Sequence, residues 1–237
     1  METSILQQLK KRAGAFIEPA LLKTGTVLEV RRWEPSSMIE IDLHLPFADM
    51  NGWSEIPYIK FRVDDLTFRD YTPFGWDAET RTCTLIIDAA HRGPGTRWAQ
   101  RLQKKDTIYY LKTDTTHQTP DATSLVVGLG DESSMAHLLA LQQMTLPVTR
   151  FEGAILVENG QHRQLFGEYF RSPLQAIARR DDYGHHSLMD WVNEQGYCFA
   201  HTFFYLTGNN ILVSQLRKLL RQKGHPSDRI KVKGFWS

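Results

Sequence analysis

Met38-Ile39-Glu40-Ile41-Asp42-Leu43-His44-Leu45 alternates apolar and polar residues without a break. Side chains of a strand point to opposite faces in turn, so this pattern predicts an antiparallel strand with one face in a core and one in water. Outward from it the same reading repeats. Thr26–Trp33 is rich in valine, Ile56–Val63 alternates around Lys60, and Phe68–Thr72, Thr82–Asp88 and Thr107–Leu111 are short β-type runs. Pro, Gly, Asn and Asp punctuate the gaps between them. Several short strands at close spacing predict an antiparallel β barrel or sandwich. Ahead of them, Ile5–Ile17 reads as a short amphipathic helix.

The pattern changes after Thr113–Thr123, a polar, Pro-containing stretch that reads as a linker. Strand and helix then alternate. Ser124–Gly130, Thr149–Val157, Tyr197–Leu206 and Ile230–Val232 are expected strands, and Ser134–Met144, Ser187–Glu194 and Asn210–Lys223 are expected helices, the last closed by Gly224. This order predicts a parallel sheet covered by helices. The expected organisation is α+β in two domains: an antiparallel barrel over residues 1–118 and an α/β parallel-sheet domain over 119–237.

The bulk numbers narrow the function classes. The chain has 237 residues, 41% of them hydrophobic, which suffices for a real core. Its 28 basic and 27 acidic residues nearly cancel, so nothing in the net charge calls for nucleic acid or a membrane as partner. Neither a signal-like start nor an apolar run of about 20 residues is present, and a cytoplasmic location is expected. Cys83 and Cys198 read as reduced core thiols, and His185-His186 as a surface loop. No resident metal is expected.

Two segments carry candidate chemistry. In Arg69-Asp70-Tyr71-Thr72-Pro73, alternation puts Arg69 and Tyr71 on one face. An Arg can hold a phosphate with forked hydrogen bonds. A Tyr offers a ring for a flavin and a hydroxyl for its ribityl chain, and Thr72 adds a hydroxyl and an amide. Alone, the stretch is equally an ordinary strand end. The second segment, His91-Arg92-Gly93-Pro94-Gly95-Thr96-Arg97-Trp98-Ala99, follows a strand and opens a helix. Gly95 permits close approach of a ligand, and Thr96 and nearby free amides suit a diphosphate. His91 and Trp98 could flank flavin or adenine. Alone, this segment is equally a Gly-Pro turn that caps a helix.

Taken together, the chain resembles the siderophore-interacting protein family, flavin-dependent ferric-siderophore reductases related to the ferredoxin–NADP reductases. The family's R-x-Y-T corresponds to Arg69-Asp70-Tyr71-Thr72, and its H-G-x-x-G-P-A-S-x-W-A to His91–Ala99 with a shorter spacer. Its G-D-E-T-A is similar to Gly130-Asp131-Glu132-Ser133-Ser134, its late G-E…L-R to Gly208–Arg217, and its G-Y-W to Gly234-Phe235-Trp236.

The resemblance implies FAD held by Arg69, Tyr71, Thr72, His91, Gly95, Thr96 and Trp98, with Trp236 beside the cofactor. It implies a nicotinamide region at Gly130, Asp131, Glu132, Ser133, Gly208 and Asn209. Electrons from NADPH, NADH or a ferredoxin would reduce the iron of a ferric siderophore. Such chelates are often anionic, so Lys60, then Lys231 and Lys233, are expected substrate contacts. Three departures bear on this. Phe74 stands where many relatives carry Arg, Asn209 replaces Glu, and the family's arginines after G-Y-W are not matched before Ser237. Gly128-Leu129-Gly130 is too short for the dinucleotide fingerprint G-x-G-x-x-G. The competing reading is a flavin-binding electron-transfer protein without reductase activity of its own.

Overall fold

Seven antiparallel strands build the first part of the chain in the computed structural model, which describes residues 22–34, 37–90, 92–180 and 185–236. They are β1 (Lys23–Arg32), β2 (Met38–His44), β3 (Pro57–Asp64), β4 (Thr67–Tyr71), β5 (Phe74–Asp77), β6 (Thr82–Asp88) and β7 (Thr107–Thr115), with helix α1 (Pro94–Arg101) between β6 and β7. The expected helix over Ile5–Ile17 lies outside the described residues. The strand order is β4-β3-β7-β1-β2-β6-β5. Side chains from one end of this order to the other, including Tyr71 of β4 and Trp76 of β5, share one core with Ile41, Leu43, Phe61, Leu85 and Trp98. The sheet therefore curls around its apolar face as a barrel whose end strands are β4 and β5.

The alternation read in β2 holds for Ile39, Ile41 and Leu43, which are buried. Glu40 is buried as well. The cause is cross-strand: Arg31 of β1 lies over the polar face of β2 and donates to Glu40 at 2.7 Å and to Asp42 at 2.7 and 2.8 Å. An Arg fork satisfies two carboxylates at once, which makes partial burial of Glu40 tolerable.

The second unit is an α/β layer. Its strands are β8 (Leu125–Asp131), β9 (Phe151–Val157), β10 (Leu174–Ala178), β11 (Thr202–Asn209) and β12 (Ile230–Trp236). They pair in parallel in the order β10-β9-β8-β11-β12. Between them run α2 (Met135–Thr145), α3 (Gly160–Tyr169), α4 (His186–Glu194) and α5 (Asn210–Gln222). β8 is central and nearly continuously apolar, as a strand buried on both faces must be. Its core joins Val127, Leu129, Ala154, Leu206, Leu212 and Leu216. The chain runs outward through β9 and β10, then returns to β11. Strand order thus reverses between β8 and β11, where sheets of this kind leave a crevice at the carboxyl ends.

Residues 33–34, 54–56 and 117–236 form this second compact unit, and the other described residues form the first. Several expectations need adjustment. β5, α3 and β10 carry no clear periodic signal; α3 contains Gly160 and Gly167, and Asn159 starts it by accepting from the amides of Gln161 and His162 at 2.9 Å. β11 begins at Thr202 rather than near Tyr197. The expected linker is anchored at its end: the Tyr205 hydroxyl donates to the Thr119 carbonyl at 2.7 Å and accepts from the Asp121 amide at 3.1 Å. His185 and His186, expected in a loop, start α4. Cys83 is buried, but Cys198 is exposed. Among the described residues, no helix is long and apolar enough to cross a membrane, and no group of three or more His, Cys, Asp or Glu is placed to hold a metal.

One buried group sets a pH dependence. His137, near the start of α2, is 1% exposed; its Nε2 pairs with Gln118 Oε1 at 2.9 Å, while its Nδ1 has no hydrogen-bond partner. Burial first, and the nearby Lys233 second, lower its pKa from 6.5 to about 3. The unfolded chain takes up a proton below pH 6.5 that the folded chain refuses until about pH 3. His137 therefore contributes nothing to pH dependence above 6.5, and stability falls as pH drops through the window from 6.5 to 3. The expected slope from this group is on the order of 1 kcal/mol per pH unit. Urea unfolding at pH 7, 6 and 5 should show it, and His137→Gln should flatten it.

Candidate functional site

The two segments singled out in the first unit meet. β3 and β4 pair so that Phe61 faces Arg69, Lys60 faces Asp70 and Ile59 faces Tyr71. Ile59 and Phe61 are core residues, so Arg69 and Tyr71 lie on the core-side face and Lys60 on the other. Tyr71 stacks on Trp98 of α1, with ring centroids 5.9 Å apart and planes 12° from parallel, and Phe61 contacts the same indole at 5.6 Å. Such aromatic pairs are worth about 1 kcal/mol each beyond area burial. They fix the orientation of the Tyr71 hydroxyl.

That hydroxyl lies against the start of α1. A Cβ placed on Gly95 would collide with the Tyr71 oxygen and would sit 3.5 Å from Arg69 Cγ. Gly95 is thus the only residue type that lets β4 and α1 approach this closely. Pro94 opens the helix at its first position, and the N-cap Gly93 supplies no side-chain hydrogen bond. No acidic residue stands in the first turn, so the positive end of the helix is not neutralised locally. Among the described residues, this is a cradle of helix amides, Thr96, the Arg69 guanidinium and a Tyr hydroxyl. Arg69 is exposed and donates to the Phe68 carbonyl at 2.7 Å, leaving further donors on its fork. Burial raises the Tyr71 pKa to about 12, with Arg69 opposing, so its hydroxyl remains a proton donor at neutral pH. Thr72 follows β4 and is half-buried. His91 lies outside the described residues. An FAD diphosphate fits this arrangement of donors.

Lys60 is not part of this wall. It is ion-paired with Asp70 at 3.0 Å on the opposite face of the β3–β4 pair.

In the second unit, the carboxyl ends of β8 and β11 interlock. Asp131 is 4% exposed; its Oδ1 accepts from the Ser133 amide at 3.1 Å and the Ser133 hydroxyl at 2.5 Å, and its Oδ2 from the Asn209 amide at 2.9 Å. Gly208, at φ +114°, brings its backbone to that carboxylate; a Cβ there would lie 2.5 Å from Asp131 Oδ1. The Asn209 side chain caps α5, accepting from the amides of Ile211 at 2.8 Å and Leu212 at 3.3 Å. Glu132 joins this end of β8 to α3: its Oε1 accepts from the Glu158 amide at 2.8 Å and pairs with His162 Nδ1. Sequence reading missed His162; the signal was Asn159, whose capping sets His162 in the first turn of α3.

Gly130, Asp131, Glu132, Ser133, Gly208 and Asn209 therefore do converge, as a hydrogen-bonded knot. Some helix-start amides at this crevice are engaged, although α2 itself begins without a side-chain cap. Asn209 takes those of α5, and a tight turn over Glu132–Ser134 precedes α2, where the Met135 amide bonds to the Glu132 carbonyl. Trp236 belongs to the same unit and donates from its indole to Ser133 Oγ at 2.9 Å. Phe235 lies edge-on to His137 at 5.5 Å, Lys231 sits over the Phe203 ring at 5.9 Å, and both Lys231 and Lys233 are on β12.

No curated protein matches the chain by sequence. A family model described as siderophore-interacting protein matches residues 123–237. Among solved structures, the siderophore-interacting protein of Acinetobacter baumannii is 14% identical, with 91% of this chain and 90% of that chain covered and a TM-score of 0.71. A siderophore utilization protein from T. fusca is 19% identical, covering 91% and 93%, with a TM-score of 0.67. The ferredoxin reductase in carbazole 1,9a-dioxygenase is 13% identical, covering 90% of this chain and 69% of that one, with a TM-score of 0.74. At these identities the structural likeness is one of fold. Residues 123–237 thus match the siderophore-interacting protein family, and the whole chain carries the two-unit, ferredoxin reductase-like fold.

Proposed function

We propose that the chain is a flavin-dependent reductase that releases iron from ferric siderophores. The observation that carries this reading is the meeting of Arg69, Tyr71 and Gly95 at the uncapped start of α1. In this reading residues 1–118 form the FAD-binding unit and 119–237 the nicotinamide-binding-like unit. Arg69 neutralises the diphosphate, the α1 amides and Thr96 receive it, and Tyr71 donates its retained proton to the ribityl or ring oxygens. Thr72 adds a donor beside the ring, and Trp98, buried against Tyr71 and Phe61, supports this wall from behind rather than flanking the cofactor. Bound FAD supplies the conversion of an electron pair into single electrons that Fe(III) requires.

Electrons come from NADPH, NADH or a reduced ferredoxin. Lys231 and Lys233 are the substrate contacts, since Lys60 is already neutralised by Asp70.

Anaerobic mixing tests the reading. Chain loaded with FAD and reduced by each donor in turn should bleach at the flavin bands, then regain colour when a ferric siderophore is added, with Fe(II) captured by a ferrous chelator. Reduced protein that leaves the iron ferric would leave only the electron-transfer alternative.

A further inference from the structure

β10 ends the five-stranded sheet and is paired on one side only, with β9. Native sheets blunt such edges with charged residues, prolines or bulges, because a row of unpaired N–H and C=O groups accepts another strand. The other end strands follow this rule. β4 carries Arg69 and Asp70 and shifts register against β3. β5 has only four residues and shifts register against β6. β12 carries Lys231 and Lys233 and shifts register against β11. β10, Leu174-Gln175-Ala176-Ile177-Ala178, has no charge, no proline and no register shift. We infer that two copies of this chain associate through β10, antiparallel and edge to edge, about a two-fold axis at Ile177. The inference does not depend on the flavin reading.

The backbone is set for this pairing. The Arg179 amide donates to the Val157 carbonyl of β9 at 2.7 Å, so alternate residues of β10 face β9 and those between face away. Ala176 and Ala178 are the ones that face away, and among the described residues their N–H and C=O groups have no partner. With Ile177 on the axis, Ala176 of one copy stands opposite Ala178 of the other, and each pair exchanges two hydrogen bonds. The two Ile177 side chains then meet as a close cross-strand pair.

The flanks of the edge are self-complementary. The chain moves away from β8 into β10 and back again to β11, so right-handed crossovers place α3 and α4 on opposite faces of the sheet. A groove of about 270 Å³ lies along the edge between them, lined by Arg163 of α3, by Ala176–Ala178, and by Arg180, Trp191 and Glu194. Arg180 pairs with Asp190 at 2.8 Å at the carboxyl end of β10, while Trp191 donates to Gln175 Oε1 at 3.0 Å at its amino end, one helical turn from Asp190 towards Glu194. Positive charge thus lies at one end of the groove and Glu194 at the other. A two-fold axis normal to the sheet brings Arg180 of one copy to Glu194 of the second, around an apolar centre of Ile177 and Trp191. On the other face it brings Arg163, in the first turn of α3, towards Glu168 in the last turn of its counterpart. The strand is short and the flanks are polar, so a Kd on the order of micromolar is expected.

Sedimentation equilibrium of the full chain from about 1 to about 200 µM tests this, with circular dichroism melts to check folding. The wild type should pass from monomer to dimer. Ala176→Pro removes an outward N–H at a place where an edge strand tolerates proline, and Glu194→Arg sets like charges together on an exposed helix end. Each should weaken association tenfold or more, and adding Arg180→Glu to Glu194→Arg should restore it. If Ala176→Pro fails to fold, Glu194→Arg and its charge swap decide. A wild type that stays monomeric throughout would overturn the inference and leave the edge to a strand of another protein. A dimer unchanged in the folded variants, or one lost in Glu194→Arg and not restored by the swap, would overturn it as well.

Discussion

Gly95→Val is expected to remove FAD binding while leaving the first unit folded. The new side chain would strike the Tyr71 hydroxyl and crowd Arg69. β4 is an end strand, so the sheet can yield locally rather than collapse. Overpacking of this kind costs about 1–3 kcal/mol. Displacing Tyr71 and the Arg69 fork forfeits charge-assisted hydrogen bonds of similar size. Together these amount to about 3 kcal/mol, or roughly a 100-fold loss of FAD affinity. Gly93→Ala is the matched control. Gly93 is extended at φ −174°, and a Cβ there meets nothing within 4 Å, so FAD affinity should change less than about threefold. Fluorescence titration of both proteins reads the contrast. Equal affinities would separate Gly95 from the cofactor.

Asp131→Ala should produce the largest stability loss in the second unit. The carboxylate is buried and accepts from the Asn209 amide, the Ser133 amide and the Ser133 hydroxyl. Alanine leaves buried donors without an acceptor, each at about 1–3 kcal/mol, so a total of about 3–5 kcal/mol is expected. The change also frees Ser133, the hydroxyl to which Trp236 donates. Urea unfolding should show the loss, and the near-UV circular dichroism of the folded variant should show a loosened Trp236. A loss below about 1 kcal/mol would mean that the knot at the β8–β11 crevice contributes little to folding.

What the sequence disclosed follows from the range of its interactions. β2 and β6 were legible because their periodicity is local, and α5 because its apolar stripe and Gly224 mark its face and its end. α3 was not, because two glycines dilute its pattern and its start depends on Asn159. The cofactor wall was half legible. Residue types in Arg69–Thr72 and Gly93–Trp98 suggested it, but only the fold shows the Tyr71 hydroxyl against Gly95. Lys60 illustrates the converse. Its pairing with Asp70 depends on the register of β3 with β4, which no reading of one strand contains. Asn209 looked like a lost acidic residue; in the structure its side chain caps α5 and its amide donates to Asp131.

The function proposed for this chain depends on its taking up a flavin. The most direct measurement is equilibrium titration of the folded chain with FAD, followed by removal of free cofactor and the absorbance spectrum of what remains. The expected result is a yellow protein with one FAD per chain, and near-complete loss of colour in Gly95→Val. A chain that retains no flavin at saturating FAD, while its melting curve shows it folded, would contradict the account.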